Sequence, residues 1–349
     1  MPSPVRIEDV ARVAGVSTAT VSRSLSQPER VRAATLELVQ RAVAQLGYVP
    51  DAAGRALASG RTRTIGCVIP TLDHAIFASS THAMQTTLAK AGYQLLVASH
   101  EYDLNVELDL VRALQQRGVD ALVLVGAEHH AQLWKIAKDW RKPTILTWAC
   151  DQRLPSVGFD NHAIAVMATR HLLDLGHRRI GMISGHPEHN DRARARIEGL
   201  RATLASAGCT FPKDRISLQA MKMSGGRLGL IELLSAKKPP TAIVCGNDLL
   251  AAGALLEAQR QGLVIPRDLS ICGIDNHELG EQINPGLTTV SLPTQELGQI
   301  AAAQILASLS GEPIAHQSML SFELLVRGST TKPTGNPFAM SSLKSHLSY

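Results

Sequence analysis

Ile7, Val10, Ala11 and Ala14 recur at the i, i+3, i+4, i+7 spacing of one helical face, with Glu8, Asp9 and Arg12 left on the other side. Gly15 follows, free to take the positive φ that ends a helix; Val16 returns to apolar character, and Ser17 offers a hydroxyl to cap a second helix. On that second helix Val21 and Leu25 point inward, which turns Thr18, Ala19, Ser22, Arg23 and Ser26 outward. A third stripe of Leu36, Val39, Val43 and Leu46 closes at Gly47, ahead of Tyr48-Val49-Pro50. Together these predict a three-helix head over residues 1–50, too small for a robust core.

Residues 51–60, an alanine-rich run with Asp51 at one end and Gly60 at the other, predict a helix too short to persist alone, so 51–63 reads as a hinge helix or linker. Beyond it the pattern changes. Apolar, β-branched runs recur at Thr64–Ile69, Gln94–Ala98, Ala121–Val125, Thr144–Thr147, Ile180–Ile183, Thr241–Cys245 and Leu269–Gly273, with amphipathic helix-length stretches between them. That alternation predicts βαβ units and an α/β fold with parallel sheets. The span is long for one open sheet and the pattern restarts near Arg179, so 64–328 is expected to form two similar lobes with a cleft. Ligands of such sheets sit beyond the carboxyl ends of the strands. Past Val326 the chain turns Ser-, Thr-, Pro- and Gly-rich, and 329–349 is expected to be a disordered tail.

Charge adds a partner. Residues 1–63 hold nine Arg, no Lys and five acids, a net +4 of the chain's +5. A positive charge gathered at one end points to a polyanion bound there and not over the whole surface. Two short amphipathic helices around a glycine with outward Ser, Thr and Arg are the form of a helix-turn-helix that reads the DNA major groove. Any helical bundle can contain such a pair, and the segregated arginines favour the DNA reading.

Other classes find little support. There is no opening charged-then-apolar signal and no apolar run near 18 residues, so the chain is expected to be cytoplasmic and neither exported nor membrane-spanning. Cys67, Cys150, Cys209, Cys245 and Cys272 are an odd count without CxxC spacing and read as reduced residues. Ser224-Gly-Gly-Arg-Leu-Gly229 lacks the Lys and spacing of a phosphate loop and reads as a loop or helix start. Pro187 breaks any helix that would align His186 and His189 on a metal, and His129-His130 reads as a surface pair after a strand. No cofactor, no metal and no catalytic constellation are expected.

Ile7-Glu-Asp-Val-Ala, Ala14-Gly-Val-Ser, Thr20-Val-Ser-Arg, Pro28-Glu-Arg-Val, Leu46-Gly-Tyr-Val-Pro and Leu57-Ala resemble the head and hinge of the lactose-repressor family of bacterial transcription regulators. The match continues through Thr64-Ile-Gly-Cys-Val-Ile-Pro, Gly118-Val-Asp-Ala-Leu, Val157-Gly-Phe-Asp-Asn, Leu175-Gly-His-Arg-Arg-Ile-Gly, Arg196-Ile-Glu-Gly, Pro240-Thr-Ala-Ile-Val-Cys-Gly-Asn-Asp, Ile265-Pro-Arg-Asp-Leu-Ser and Pro285-Gly-Leu-Thr-Thr-Val, in the family's order. The resemblance implies a homodimeric repressor that binds a pseudo-palindromic double-stranded operator and a sugar or sugar-acid effector. Its two lobes would be like those of periplasmic sugar-binding proteins, with segments near Thr288–Leu292 and Phe322–Val326 crossing back between them.

For DNA, the motif and the resemblance together mark Ser17, Thr18, Ala19, Thr20, Ser22, Arg23, Ser26 and Arg32, with Arg55 near phosphates and Leu57 as a wedge in a minor-groove step. A plain flexible linker is the alternative for the last two. For the effector, the resemblance implies His74, Ile76 and Phe77 after the first strand, with Asp73 beside them, and Trp148 at the end of the fourth. Asn190, Arg192, Arg196, Asn247 and Asp275 would come from the second lobe. Arg196 offers a fork of donors, Asp275 an acceptor, and Trp148 or Phe77 a face for a sugar ring. Each has a plainer alternative: Arg192, Arg194 and Arg196 as a solvated helix start, Asp275-Asn276 as a turn cap, Trp148 as core.

Arg32 stands where the family often has a small hydroxyl cap, Gly54 weakens the hinge helix, Ala75-Ile76 replaces a Pro-aromatic pair, and Ala220 replaces an aromatic. The thin aromatic lining disfavours a flat heterocycle. Val157-Gly-Phe-Asp-Asn and Asn276-His-Glu-Leu-Gly look like the gluconate-repressor branch, so the expected effector is a hydroxylated, anionic molecule such as gluconate. A stand-alone solute-binding protein and a Rossmann-like enzyme with an added DNA head are the alternatives.

Overall fold

The computed structural model describes residues 5–26, 28–49 and 60–334. Most of the 51–63 segment, with Gly54, Arg55 and Leu57, and residues 335–349 of the expected tail lie outside the described residues. The chain divides into two compact units, the first made of residues 1–64 with 117–120.

That first unit carries α1 (Ile7–Ala14), α2 (Thr18–Ser26) and α3 (Ala33–Leu46). Gly15 ends α1 with φ of 68°, in the left-handed region, and the chain re-enters α2 through Ser17, whose Oγ accepts from the Thr20 amide at 3.2 Å. Val10, Ala11, Ala14, Val21, Val39 and Ala42 form a small buried core, with Leu25, Val43 and Leu46 packed on it. The stripes in the sequence are therefore the faces that meet.

The second unit holds two six-stranded sheets. The first runs β2 (Gln94–Ser99), β1 (Thr64–Ile69), β3 (Ala121–Val125), β4 (Thr144–Trp148), β5 (Ser156–Gly158), β11 (Gln317–Met319). The second runs β7 (Ile216–Leu218), β6 (Ile180–Ser184), β8 (Ala242–Cys245), β9 (Ser270–Asp275), β10 (Thr288–Ser291), β12 (Glu323–Leu325). The β10–β12 pair is antiparallel, whereas β6–β7, β6–β8, β8–β9 and β9–β10 are parallel, as are β1–β3, β3–β4, β4–β5 and β5–β11. Around the first sheet lie α4 (Ala75–Lys90), α5 (Leu104–Gln116), α6 (Ala131–Asp139) and α12 (Thr294–Ser310). Around the second lie α7 (Asn161–Asp174), α8 (Asp191–Ser206), α9 (Met223–Leu234), α10 (Asp248–Arg260) and the one-turn α11 (Leu279–Gln282).

The strands read as unbroken apolar runs because both faces of each sheet are covered. In β8, Ala242 and Val244 join the core shared with Ile164, Ala168 and Leu200 of α7 and α8, whereas Ile243 and Cys245 join the core under α9 and α10. Backbones of α9 and α10 touch. A Cβ on Gly226 would overlap the Leu250 carbonyl, and one on Gly253 would overlap the Met223 carbonyl, so only glycine allows this approach.

The chain passes between lobes three times: from β5 to α7, from β10 to α12 near Leu292-Pro293, and from β11 to β12 across Leu320–Phe322. The last two are the crossings anticipated from the resemblance. Five strands had no counterpart among the apolar runs, although β10 and β12 fall in the segments expected to cross between lobes. β5, β7 and β11 have three residues each, too few to display a period. The start of the tail is also corrected. Ser329 is fully buried, its Oγ donating to the Ile271 carbonyl at 2.6 Å, and the Thr331 carbonyl lies 2.9 Å from His177 Nε2, so the ordered chain extends beyond 328. Cys67, Cys245 and Cys272 are buried in strands, and all five cysteines are unbridged.

Candidate functional site

On the head, Thr18, Ala19, Ser22, Arg23 and Ser26 are exposed along the outer face of α2. Ser17 is exposed too, but its hydroxyl caps the helix, and Thr20 is half-buried with Oγ1 2.9 Å from that same hydroxyl. Two of the marked residues therefore position the helix more than they extend its reading surface. Arg32 stands at the N-cap of α3 without a side-chain capping bond, as its chemistry requires, and remains exposed. Arg55 and Leu57 lie outside the described residues.

In the second unit, strand carboxyl ends from both sheets converge on one narrow cavity. Lobe one contributes His74, Ile76, Phe77, Tyr102 and Trp148; lobe two contributes Asn190, Arg192 and Arg196, flanked by Ser184, Ala193, Met221 and Gly246. Seven of the nine marked effector residues thus line one space. The other two stand beside it. Asn247 is buried with Oδ1 accepting from Leu250 N at 2.8 Å as the cap of α10, and Asp275 opens on a neighbouring groove that shares Ile76 with the cavity.

Trp148 is 2% exposed, edge-on to Phe77 at 5.1 Å and to Phe159 at 5.9 Å, so it is both core and cavity wall. His74 stands at the N-cap position of α4 without a side-chain capping bond, and burial holds its imidazole below the usual value, which removes it as a standing cation. Arg192 and Arg196 are not a solvated helix start: both are buried. Arg192 Nη1 is paired with Asp191 at 2.8 Å. Arg196 Nε donates to Asn161 Oδ1 at 3.0 Å and Nη1 to the Gly246 carbonyl at 2.6 Å, both neutral acceptors, and donors remain on its fork.

Arg196 Nη1 is 3.9 Å from Asp275 Oδ1, beyond hydrogen-bond reach. Its attraction does not offset burial, and with Asp248 nearby the Asp275 carboxyl is pushed up to about 8. Asp275 Oδ1 and Ser184 Oγ are buried without a hydrogen-bond partner among the described residues. Beside the Arg196 cation these two oxygens are available to hydrogen-bond a polar ligand. The other wall is sealed by contacts between lobes: Lys222 Nζ to Asp73 Oδ2 at 2.8 Å, Arg194 Nη2 to Glu128 Oε2 at 2.6 Å, and Ala127 N donating to Asp191 Oδ2 at 3.0 Å.

Sequence reasoning missed Tyr102, Ser184, Ala193, Met221 and Gly246. Tyr102 follows β2, Ser184 ends β6 and Gly246 follows β8, so the rule that ligands lie beyond strand carboxyl ends would have found three of them. His129, expected at the surface, is buried against Glu107, while His130 caps α6 by accepting from Gln132 N. Among the described residues no cluster of His, Cys, Asp or Glu is arranged to hold a metal, and no helix is long and apolar enough to cross a membrane.

Residues 6–51 match the family of bacterial regulatory proteins, lacI family, and residues 169–330 match the periplasmic binding protein-like domain. The chain is 32% identical over 327 residues to the HTH-type transcriptional repressor CytR of Escherichia coli (strain K12), covering 93% of this chain and 96% of that one. It is 32% identical to the HTH-type transcriptional repressor PurR of Aliivibrio salmonicida (strain LFI1238), covering 91% and 95%. Among solved structures, the lac repressor dimer bound to operator and the anti-inducer ONPF superposes with a TM-score of 0.84 at 25% identity, covering 94% of this chain and all of that one. Transcription regulator GntR from Chromobacterium violaceum gives 0.73 at 32% identity, covering 76% and 99%.

Proposed function

Because the chain belongs to the lacI family of bacterial regulatory proteins, we propose that it is a homodimeric transcriptional repressor whose hold on a pseudo-palindromic operator is set by a sugar-acid effector. Residues 1–50 read DNA, 51–63 link, and 64–328 with the ordered residues beyond them bind effector and dimerise. It works in the cytoplasm by binding alone, without catalysis. One observation carries the effector reading: His74, Ile76, Phe77, Trp148, Asn190, Arg192 and Arg196 come from distant segments yet line one cavity. Binding there changes lobe closure, disturbs the linkers and releases the operator, provided the effector favours one lobe arrangement over the other.

Charge selects the effector class. Arg192 is neutralised by Asp191, and Asp275 is protonated at neutral pH, so Arg196 leaves the cavity with a net positive charge. A carboxylate with hydroxyls beside it, as in gluconate, suits Arg196, Ser184 and Asn190. Raising the pH through about 8 ionises Asp275 and places a negative charge next to the ligand's own. Gluconate affinity is expected to fall between about pH 7 and about pH 9, and Asp275→Asn to flatten that profile. A wild-type gluconate affinity that stays level or rises over this range would remove Asp275 from beside the ligand's carboxylate.

For DNA, Arg23→Ala is expected to weaken operator binding about tenfold or more, with the loss concentrated at one position of each half-site, because a guanidinium on the exposed face of α2 can engage guanine or phosphate. Titration against a set of single-base operator variants measures it. The overall reading is tested by fluorescence anisotropy of a labelled palindromic duplex with and without gluconate. Duplex binding that gluconate leaves untouched would remove the sugar-acid assignment, and absence of duplex binding would remove the repressor reading.

A further inference from the structure

Beneath the contact between lobes lies a polar pair that the effector cavity does not use. Glu107 of α5 is fully buried, and its Oε1 is 2.8 Å from Nδ1 of His129, also buried. The other ring nitrogen, Nε2, is 3.2 Å from the Gly126 carbonyl. A carbonyl only accepts, so Nε2 carries a hydrogen, and Nδ1 shares a proton with the carboxyl. Trp134 meets the His129 ring edge-on at 5.0 Å, and Arg153, 3.6 Å above Trp134, donates to the Ala127 carbonyl at 3.0 Å. Both carbonyls of the 126–127 turn are thereby held from within lobe one.

What the turn presents outward is its other chemistry. The Ala127 N–H reaches Asp191 Oδ2, the Glu128 carboxylate takes Arg194, and Gly126 leaves room for Arg192, since a Cβ there would overlap Nη1 of Arg192. We infer that Glu107 and His129 are positioning residues for lobe closure: they fix the turn at 126–128 as a preformed platform on which the first turn of α8, with its cavity residue Arg192, docks. This rests on reading the cleft as the effector site, and it makes closure depend on two side chains outside the cavity lining.

The test is amide hydrogen exchange at Ala127 in the full chain, first with no ligand added. Asp191→Ala is expected to speed that amide about tenfold or more. The double variant Glu107→Leu with His129→Phe replaces a buried pair by apolar groups, a change that commonly preserves folding. It should speed Ala127 by a similar factor, and by little more when Asp191→Ala is added, because both act through one contact. Glu107→Gln can donate to Nδ1 and leave Nε2–H on Gly126, and should exchange like wild type. Wild-type exchange in the double variant, accelerations that multiply with Asp191→Ala, or fast exchange in Glu107→Gln would each overturn the platform. Calorimetry with D-gluconate then separates the two readings. The double variant should bind about tenfold more weakly than wild type, whereas gluconate that fails to bind wild type refutes the effector assignment and leaves the exchange result to judge the platform alone.

Discussion

Arg196→Ala is expected to leave operator binding intact and to abolish the response to gluconate. The guanidinium is the standing cation of the cavity, and a charge-assisted hydrogen bond to a carboxylate contributes about 1.5–3 kcal/mol, roughly ten- to more than a hundredfold in affinity. The structure adds a second effect. Asn161 Oδ1 and the Gly246 carbonyl both accept from Arg196, so truncation also strips two buried acceptors, at about 1–3 kcal/mol each if no water replaces the donor. The melting temperature should therefore fall alongside the effector affinity. Arg196→Lys separates the two: it keeps the charge but cannot serve Asn161, Gly246 and a carboxylate at once. Calorimetry in which Arg196→Ala binds gluconate normally would remove this residue from the site.

Gly253→Ala is expected to destabilise the second lobe, against the usual direction of a glycine-to-alanine change within a helix. Propensity alone would favour alanine by about 1 kcal/mol. Here the added methyl meets the Met223 carbonyl, and a backbone atom cannot rotate away as a side chain would. Separating α9 from α10 enough to admit it costs about 3 kcal/mol, at the upper end for overpacking, and that term wins. At roughly 2–4 °C per kcal/mol the melting temperature should drop by roughly 4–8 °C for the net 2 kcal/mol. A variant that melts at or above wild type would show that the helices yield.

The central strands β1, β3, β4, β6, β8 and β9 were legible because each is buried on both faces, which writes an apolar run directly into the sequence. The head was legible for the opposite reason, its helices burying one face each. The cavity residues were legible one by one through motif resemblance, while their convergence depends on loops whose course no periodicity records. Tyr102 follows β2 as part of an irregular turn, with φ of 64°, and carries no pattern of its own. His129 was misread because its partner Glu107 is 22 residues earlier on another element; an adjacent histidine pair after a strand looks solvent-facing until that carboxyl is placed. Arg192 and Arg196 were read as cavity donors, but their ties to Asp191, Asn161 and Gly246, which decide how much charge is left over, belong to tertiary structure alone.

Three covalent passages join the lobes, and their number governs how the lobes can move. A single connection would act as a tether and leave rotation in every direction. Three passages remove most of those freedoms, as added pins do for a door, and confine relative motion of the lobes to fewer directions. Such a joint loses little orientational entropy on closing, so most of the ligand's differential binding energy remains available to shift the open–closed balance. It also ties distant contacts together: a substitution at the Lys222–Asp73 pair or at the turn of 126–128 would act on the same restricted motion.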